Sequence, residues 1–153
     1  MIPLIGTYEC KVDSKFRLPL PVSLQRQWAE ILKDGFVLKR SVFQPCIEMY
    51  SISEWTLVMK DLNKINPYVK ENNTFIRGFV AGLKSVEVDG TGRILIAKDL
   101  VTYAGIKKDV VLHPSVNMIE IWDKDRYEQA VDINQDDFVA LTEKVMGGIA
   151  RDE

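Results

Sequence analysis

The sequence predicts a β-rich α+β fold built from two diverged copies of one small module, and three observations predict it. The first is an internal repeat. Cys10-Lys11-Val12-Asp13-Ser14-Lys15-Phe16-Arg17-Leu18-Pro19-Leu20 aligns with Val86-Glu87-Val88-Asp89-Gly90-Thr91-Gly92-Arg93-Ile94-Leu95-Ile96, with Asp and Arg coincident and the apolar positions matched. The second is that the match continues. Leu24 aligns with Leu100, Ile47-Glu48-Met49-Tyr50 with Ile119-Glu120-Ile121-Trp122, and Trp55 with Tyr127. Copy two is shorter in the middle, as loops tolerate. The third is alternation: Tyr8, Cys10 and Val12 share one face and Thr7, Glu9 and Lys11 the other, the period of a half-buried strand.

Each copy reads in the same order. After the alternating strand, in which Val86 and Val88 take the inner face of copy two and Lys84 replaces Tyr8, comes a tight Asp-x-x-x-Arg turn. A second short strand follows, residues 18–20 or 94–96. A helix is next. In copy one Leu24, Trp28, Ile31 and Leu32 fall at helical spacing behind Ser23, a candidate N-cap. In copy two the helix is shorter and stops at Gly105. Two strands close each copy, 36–38 with 46–50 and 110–112 with 118–122. Ser51-Ile52-Ser53-Glu54 has the pattern in which the first and fourth side chains cap a helix, and Trp55, Met59 and Leu62 make its stripe. Asp123 begins the equivalent helix, with Tyr127 and Val131 facing inward.

Asn66-Pro67 predicts the start of a connecting helix reaching Phe79, because proline suits the first helical position. Asn134-Gln135-Asp136-Asp137 predicts the start of a C-terminal helix with Phe138, Leu141 and Val145 inward, ended by Gly147-Gly148. The chain thus divides into a first module, 1–55, a helical connector, 56–80, a second module, 81–131, and an acidic C-terminal helix and tail, 132–153. Four short strands in one module bury too little core alone. The copies are therefore expected to exchange strands and form one closed, barrel-like sheet about a pseudo-twofold axis, with peripheral helices.

Hydrophobic residues make up 46% and charged residues 27%, an ordinary globular balance. No apolar run approaches the roughly 18 residues of a membrane span. The start, Met1-Ile2-Pro3-Leu4-Ile5-Gly6, has neither the basic residues nor the apolar length of a signal peptide. A cytoplasmic protein is expected, with no membrane partner. Cys10 and Cys46 lack Cys-x-x-Cys or metal spacing and read as buried thiols. The net charge of −2 argues against a nucleic-acid partner when taken whole. Its distribution softens that objection. Residues 1–50 carry seven Lys/Arg against five Asp/Glu, residues 51–131 eleven of each, and residues 132–153 two against six.

Catalytic chemistry is sparse. His113, the only histidine, precedes Pro114 in what reads as a loop between strands. Gly-x-Ser-x-Gly, His-Glu-x-x-His and a phosphate-cradling glycine loop are all missing from the sequence. Asp89-Gly90-Thr91-Gly92 sits in a hairpin turn and not before a helix, so it is no dinucleotide fingerprint. An enzyme, a cofactor, a metal and a small-molecule substrate are therefore not expected.

The repeated Asp-x-x-x-Arg turn carries the signal. Asp13 and Asp89 stiffen the turns by accepting backbone N–H groups. Arg17 and Arg93 either pair with those carboxylates or present a planar fork to phosphate or to a guanine edge. Lys11 and Lys15 add charge in copy one, where copy two has Glu87 and Thr91, so copy one is expected to dominate DNA contact. Lys39-Arg40 reads as a solvated basic pair, and Trp28, Trp55 and Trp122 as core.

These residues carry a resemblance. The run from Gly6 to Pro21, which includes Lys11-Val12-Asp13-Ser14-Lys15-Phe16-Arg17, resembles the N-terminal motif of the MraZ family. Arg77-Gly78-Phe79-Val80-Ala81-Gly82 followed by Val88-Asp89-Gly90-Thr91-Gly92-Arg93-Ile94-Leu95-Ile96 resembles the family's second motif. Tyr103-Ala104-Gly105-Ile106 and Ile119-Glu120-Ile121-Trp122 continue the match, over residues 4–130 in order. The resemblance implies two AbrB-like swapped-hairpin halves and a closed homo-oligomeric ring. It implies binding to short direct repeats in double-stranded DNA, at the nucleoid, upstream of the operon for cell division and cell-wall synthesis, and regulation of that operon, usually as a repressor. It assigns DNA contact to Arg17 and to its counterpart Arg93. Two departures stand out. Phe16 replaces the usual glycine, which predicts either a reshaped turn or packing against a neighbouring subunit, and Ala97 replaces a proline. Low basicity suits a ring that sums weak contacts. The alternative is an oligomeric protein-interaction scaffold that has lost DNA binding. Salt separates the two, because DNA binding through several subunits falls steeply with ionic strength.

Overall fold

Apolar residues at alternate positions make short strands that need a partner for each face. In a computed structural model that describes residues 5–149, the first copy supplies β1 (Tyr8–Lys11), β2 (Arg17–Pro19), β3 (Phe36–Arg40) and β4 (Ile47–Ser51). The second supplies β5 (Lys84–Val86), β6 (Arg93–Leu95), β7 (Asp109–Pro114) and β8 (Ile119–Asp123). The helices are α1 (Val22–Gln27), α2 (Ile52–Leu62), α3 (Lys70–Phe79), α4 (Lys98–Ala104), α5 (Lys124–Val131) and α6 (Gln135–Gly147). The first four residues of the N-terminal segment and the last four of the acidic tail lie outside the described residues.

Six antiparallel strands run in the order β1-β7-β8-β4-β3-β5, and β2 and β6 form a separate two-stranded ribbon. Each copy's first strand pairs with the other copy: Tyr8 lies opposite Leu112, and Val86 opposite Phe36. Exchanging every strand for its repeat equivalent reproduces the same order reversed. The pseudo-twofold axis therefore passes between β4 and β8 and between β2 and β6. The expected closed sheet is not found: β1 and β5 end the six-stranded sheet on opposite edges. The reason is local. At each hairpin the backbone pairs through Asp13 N–H to Arg17 C=O, or Asp89 N–H to Arg93 C=O, and beyond that rung β2 and β6 turn to each other.

The main core lies between one face of the six-stranded sheet and a layer made by the ribbon, α1 and α4. Leu18 and Ile94 from the ribbon, Leu24, Trp28, Leu100 and Ala104 from the helical segments, and Phe36, Leu38, Ile47, Met49, Val110, Leu112, Ile119 and Ile121 from the sheet are all buried in it. Trp28 stacks on Phe36 with ring centroids 5.4 Å apart. The opposite face of the sheet is covered by α2, through Trp55, and by α3 over Val37 and Tyr50, and by α5 over Val111 and Trp122. Ser51 caps α2 by accepting the Glu54 N–H at 3.2 Å, and Asp123 caps α5 by accepting the Arg126 N–H.

Several sequence expectations need correction. Pro21, not Ser23, is the N-cap of α1, and the Ser23 hydroxyl bonds the Tyr8 hydroxyl instead. The helix stops at Gln27 and the chain continues into a 3-10 turn at Leu32–Asp34. Pro67 sits in a turn in which Asn66 Oδ1 accepts the Tyr68 N–H, so α3 begins at Lys70. His113 belongs to β7, opposite Glu120. Val131, Phe138, Leu141 and Val145 do not face inward: α6 is exposed along its whole length. Helical spacing showed an apolar stripe, but not which surface covers it.

Lys39 departs most. It is fully buried in β3, on the α3 side of the sheet. Its Nζ pairs with Glu48 Oε1 at 3.0 Å, donates to Arg40 C=O at 2.6 Å, and lies 4.3 Å from the centre of the Phe79 ring. The Tyr50 hydroxyl donates to the same Glu48 oxygen at 3.1 Å. Burial and the Glu48 carboxylate push the Tyr50 phenol well above its ordinary value, so it stays a donor. A buried ion pair adds little net stability while both partners are present, but removing one strands the other. Glu48→Ala should therefore cost about 3 kcal/mol in urea unfolding, and Lys39→Met combined with Glu48→Leu should recover most of that loss.

Candidate nucleic-acid interface

The ribbon is short enough for every side chain to be placed by alternation. Arg17 lies opposite Leu95, Leu18 opposite Ile94, and Pro19 opposite Arg93. Leu18 and Ile94 point into the core, which turns Arg17, Pro19, Arg93 and Leu95 outward. Leu95 is 58% exposed. Leu20 N–H to Gly92 C=O at 2.9 Å and Ile96 N–H to Phe16 C=O at 3.0 Å extend the ladder symmetrically at both ends.

Each turn is built around its aspartate. Asp13 Oδ1 accepts the N–H of Lys15 at 2.9 Å and of Arg17 at 3.0 Å, and Oδ2 accepts Arg17 Nε at 2.7 Å. Asp89 repeats the pattern. Its Oδ1 accepts the N–H of Thr91 at 2.9 Å and of Arg93 at 3.0 Å, and its Oδ2 accepts Arg93 Nε at 3.1 Å. The two turns also touch, since Arg93 Nη1 lies 3.7 Å from Asp13 Oδ2. The Arg17 backbone N–H is the main cause that holds the Asp13 carboxyl below its ordinary value. The Arg93 N–H does the same for Asp89 and takes it down to about 2. The carboxylates stay charged at neutral pH, as anchors must.

Pairing with aspartate and presentation to a ligand prove compatible in one geometry. Nε anchors each guanidinium to its turn. Among the described residues, the Nη atoms of Arg17 take no hydrogen bond or ion pair. The two side chains remain 36% and 31% exposed. The arrangement can hold two planar, fixed cations side by side on an outward surface, suited to an anionic backbone or a bidentate acceptor. Lys15 is exposed at the tip of the first turn. Lys11 is exposed on β1 opposite Asp109.

Phe16 does not reshape its turn. It takes the left-handed conformation, φ 60°, where Gly92 has φ 79°, and both donate N–H to the preceding aspartate C=O at 3.0 Å. The strain of that conformation is on the order of 1 kcal/mol for a residue with a Cβ. Packing offsets it, because the half-buried ring lies against the main core of its own chain. Three further residues shape this surface. Leu95, and Pro19 beside it, follow from the alternation that buries Ile94 and Leu18, so that signal was present. Gln25 had none: its Nε2 donates to Leu20 C=O at 2.7 Å and its amide closes over Gly92.

Other chemistry is limited. Among the described residues no three of His, Cys, Asp or Glu come together as a metal site, and no helix is long and apolar enough to cross a membrane. Both cysteines are free. Burial pushes the Cys10 thiol up to about 11 and the Cys46 thiol up to about 12, so neither is a thiolate at neutral pH.

Comparison with known proteins gives a consistent set. Residues 79–147 match the family model described as MraZ protein, putative antitoxin-like. A protein of Christiangramia forsetii named Transcriptional regulator MraZ is 56% identical over 147 residues, covering 96% of this chain and 95% of that one. A protein of the same name from Flavobacterium psychrophilum is 55% identical over 153 residues, covering 100% and 98%. Another, from Cytophaga hutchinsonii, is 33% identical over 141 residues, covering 92% and 93%.

Two outcomes follow from the turn geometry. A carboxyl whose folded-state pKa is depressed stabilises the fold above its unfolded value, and that contribution disappears as pH falls through the folded value. For Asp89 the window runs from about 3.9 down to about 2. Asp89→Asn should therefore lose less melting temperature than wild type across that window. Gly92→Ala should cost about 1 kcal/mol in urea unfolding, because a Cβ would stand at a left-handed φ and 2.6 Å from Gln25 Nε2.

Proposed function

The chain belongs to the MraZ family, and on that premise we propose that it is a transcriptional regulator that binds double-stranded DNA sequence-specifically through the outer face of the β2–β6 ribbon. One observation carries the proposal: two arginines, each anchored by Nε to the aspartate of its own turn, stand side by side on one exposed ribbon. The relatives are named as transcriptional regulators, and the ribbon offers a surface fit for the task. A two-stranded ribbon fits the major groove, where a guanidinium meets guanine O6 and N7 in a bidentate pair. Arg17 makes the principal contact and Arg93 supports it. Lys15 and Lys11 add phosphate contacts, so the first copy dominates. Asp13 and Asp89 hold the arginines in register.

The regulator acts as a homo-oligomeric ring in the cytoplasm, at the nucleoid, and represses its own operon of cell-division and cell-wall genes. A ring suits a chain of net charge −2, because several weak sites add on one DNA. Two swapped-hairpin modules, 1–55 and 81–131, build each subunit around the connector 56–80, with the acidic helix and tail 132–153 outside them. The pairing of β1 with β7 and of β5 with β3 supports that reading. The scaffold alternative rested on Phe16, and a turn that matches its Gly92 counterpart weakens that ground.

Fluorescence anisotropy with the DNA upstream of the protein's own gene, against a shuffled control at two salt concentrations, tests the assignment. Wild type should prefer the native fragment and weaken steeply with salt. Arg17→Ala should lose the preference while keeping its circular dichroism and its oligomeric mass, since the backbone N–H bonds that Asp13 accepts remain and a part-exposed side chain contributes little to stability. Equal binding of both fragments by wild type would refute sequence-specific recognition, and binding of neither would refute the DNA reading.

A further inference from the structure

Two different apolar surfaces of the described chain face solvent. One is α6, where Phe138, Leu141 and Val145 are about half exposed. Its first turn carries Asp136 and Asp137, neither ion-paired among the described residues. The other is a cavity of about 420 Å³ lined by Arg40, Val42, Phe75, Phe79 and Tyr103, between β3, α3 and α4. Phe43, next in sequence to Val42, is 89% exposed. Soluble chains rarely leave such patches bare unless a partner covers them.

The cavity has a chemical demand. The Arg40 guanidinium lies over the Tyr103 ring, 5.1 Å from its centre. Its Nε is buried with no hydrogen-bond partner, and among the described residues no carboxylate pairs with it. A cation short of acceptors, set among aromatic walls, fits an acidic segment that also brings a ring. The chain contains one, Asp136-Asp137-Phe138.

We propose that α6 of one subunit docks on a second copy of the chain, with Phe138 in the Arg40 cavity and the Asp136 and Asp137 carboxylates facing the guanidinium. Charge favours the match. Asp132, Asp136, Asp137 and Glu143 outweigh Lys144 along and before α6, while Arg40 is the charged residue that lines the cavity. The helix does not satisfy the cavity of its own chain, for it stays exposed throughout. An amphipathic helix in an aromatic groove is a common mode of recognition. Because the two surfaces differ, the contact is head-to-tail, and it closes into a ring when the rotation per subunit allows. The proposal rests on the oligomeric reading above and names the surfaces that make it.

The test is the mass of the full chain by size-exclusion chromatography with light scattering, with circular dichroism to confirm folding. Wild type should be an oligomer. Phe138→Asp and Phe75→Asp should each fall to a monomer, and Arg40→Glu should do the same. Mixing Phe138→Asp, whose cavity is intact, with Phe75→Asp, whose helix is intact, should give a dimer, the signature of a single remaining head-to-tail contact. Arg40→Glu combined with Asp136→Lys and Asp137→Lys in one chain should restore assembly. If Arg40→Glu unfolds, the two phenylalanine variants decide alone. Unchanged mass in both phenylalanine variants would overturn the proposal and leave the oligomer standing. Dissociation by Phe138→Asp alone would overturn the cavity as the docking site. A monomeric wild type would overturn the oligomeric reading and the proposal together.

Discussion

The pairing of β2 with β6 is the interaction on which the rest depends. Leu18 and Ile94 face each other there, both fully buried, and close the main core from above. Neither three-residue strand could persist alone, since an isolated two-stranded ribbon is marginal in water. The ladder forms because the two Asp-x-x-x-Arg turns hold both strands at matching height, with Leu20 to Gly92 and Ile96 to Phe16 as its last rungs. The hydrophobic demand that buries Leu18 and Ile94 also turns Arg17 and Arg93 outward. Core formation and display of the two arginines are thus one event.

The aspartates link turn geometry to charge. Each accepts two backbone N–H groups and one guanidinium Nε, which lowers its pKa and fixes the arginine at its root. Less side-chain freedom then remains to be lost when a ligand binds, which is how preorganisation helps affinity. The twofold relation doubles the effect, and the contact from Arg93 to Asp13 couples the two halves. Phe16 shows how far the backbone is dictated. The turn demands a left-handed residue, and a phenylalanine complies because its ring has apolar surface to cover.

The opposite face of the sheet follows different physics. There α2 and α3 cover a buried Lys39–Glu48 pair, bridged by Tyr50 and capped by the Phe79 ring. Its worth lies in fixing register: a slip of one residue in β3 would move Lys39 to the other side of the sheet, into the main core. The repeat equivalents diverge most on this side. Helix α3 packs through Phe79, while α6, which follows α5 as α3 follows α2, stays exposed. Symmetry at the core and asymmetry at the periphery leave unlike surfaces on a single chain.

The sequence by itself determined the repeat, the order of the strands in each copy, the inward-facing apolar positions along them and the Asp–Arg spacing of the turns. These are local properties, set by the alternation of side chains and by what an aspartate can reach four residues away. Ser51 and Asp123 as helix caps, and Gly105 as a helix stop, were legible for the same reason. Only the tertiary structure decided the rest. It left the sheet open, because the backbone beyond each hairpin rung pairs across the axis and not along its own copy. It buried Lys39 of a basic pair that reads as solvated, because a carboxylate nine residues away and a ring from α3 complete its shell. And it left α6 uncovered, because a stripe at helical spacing states that a surface must be met but not what meets it.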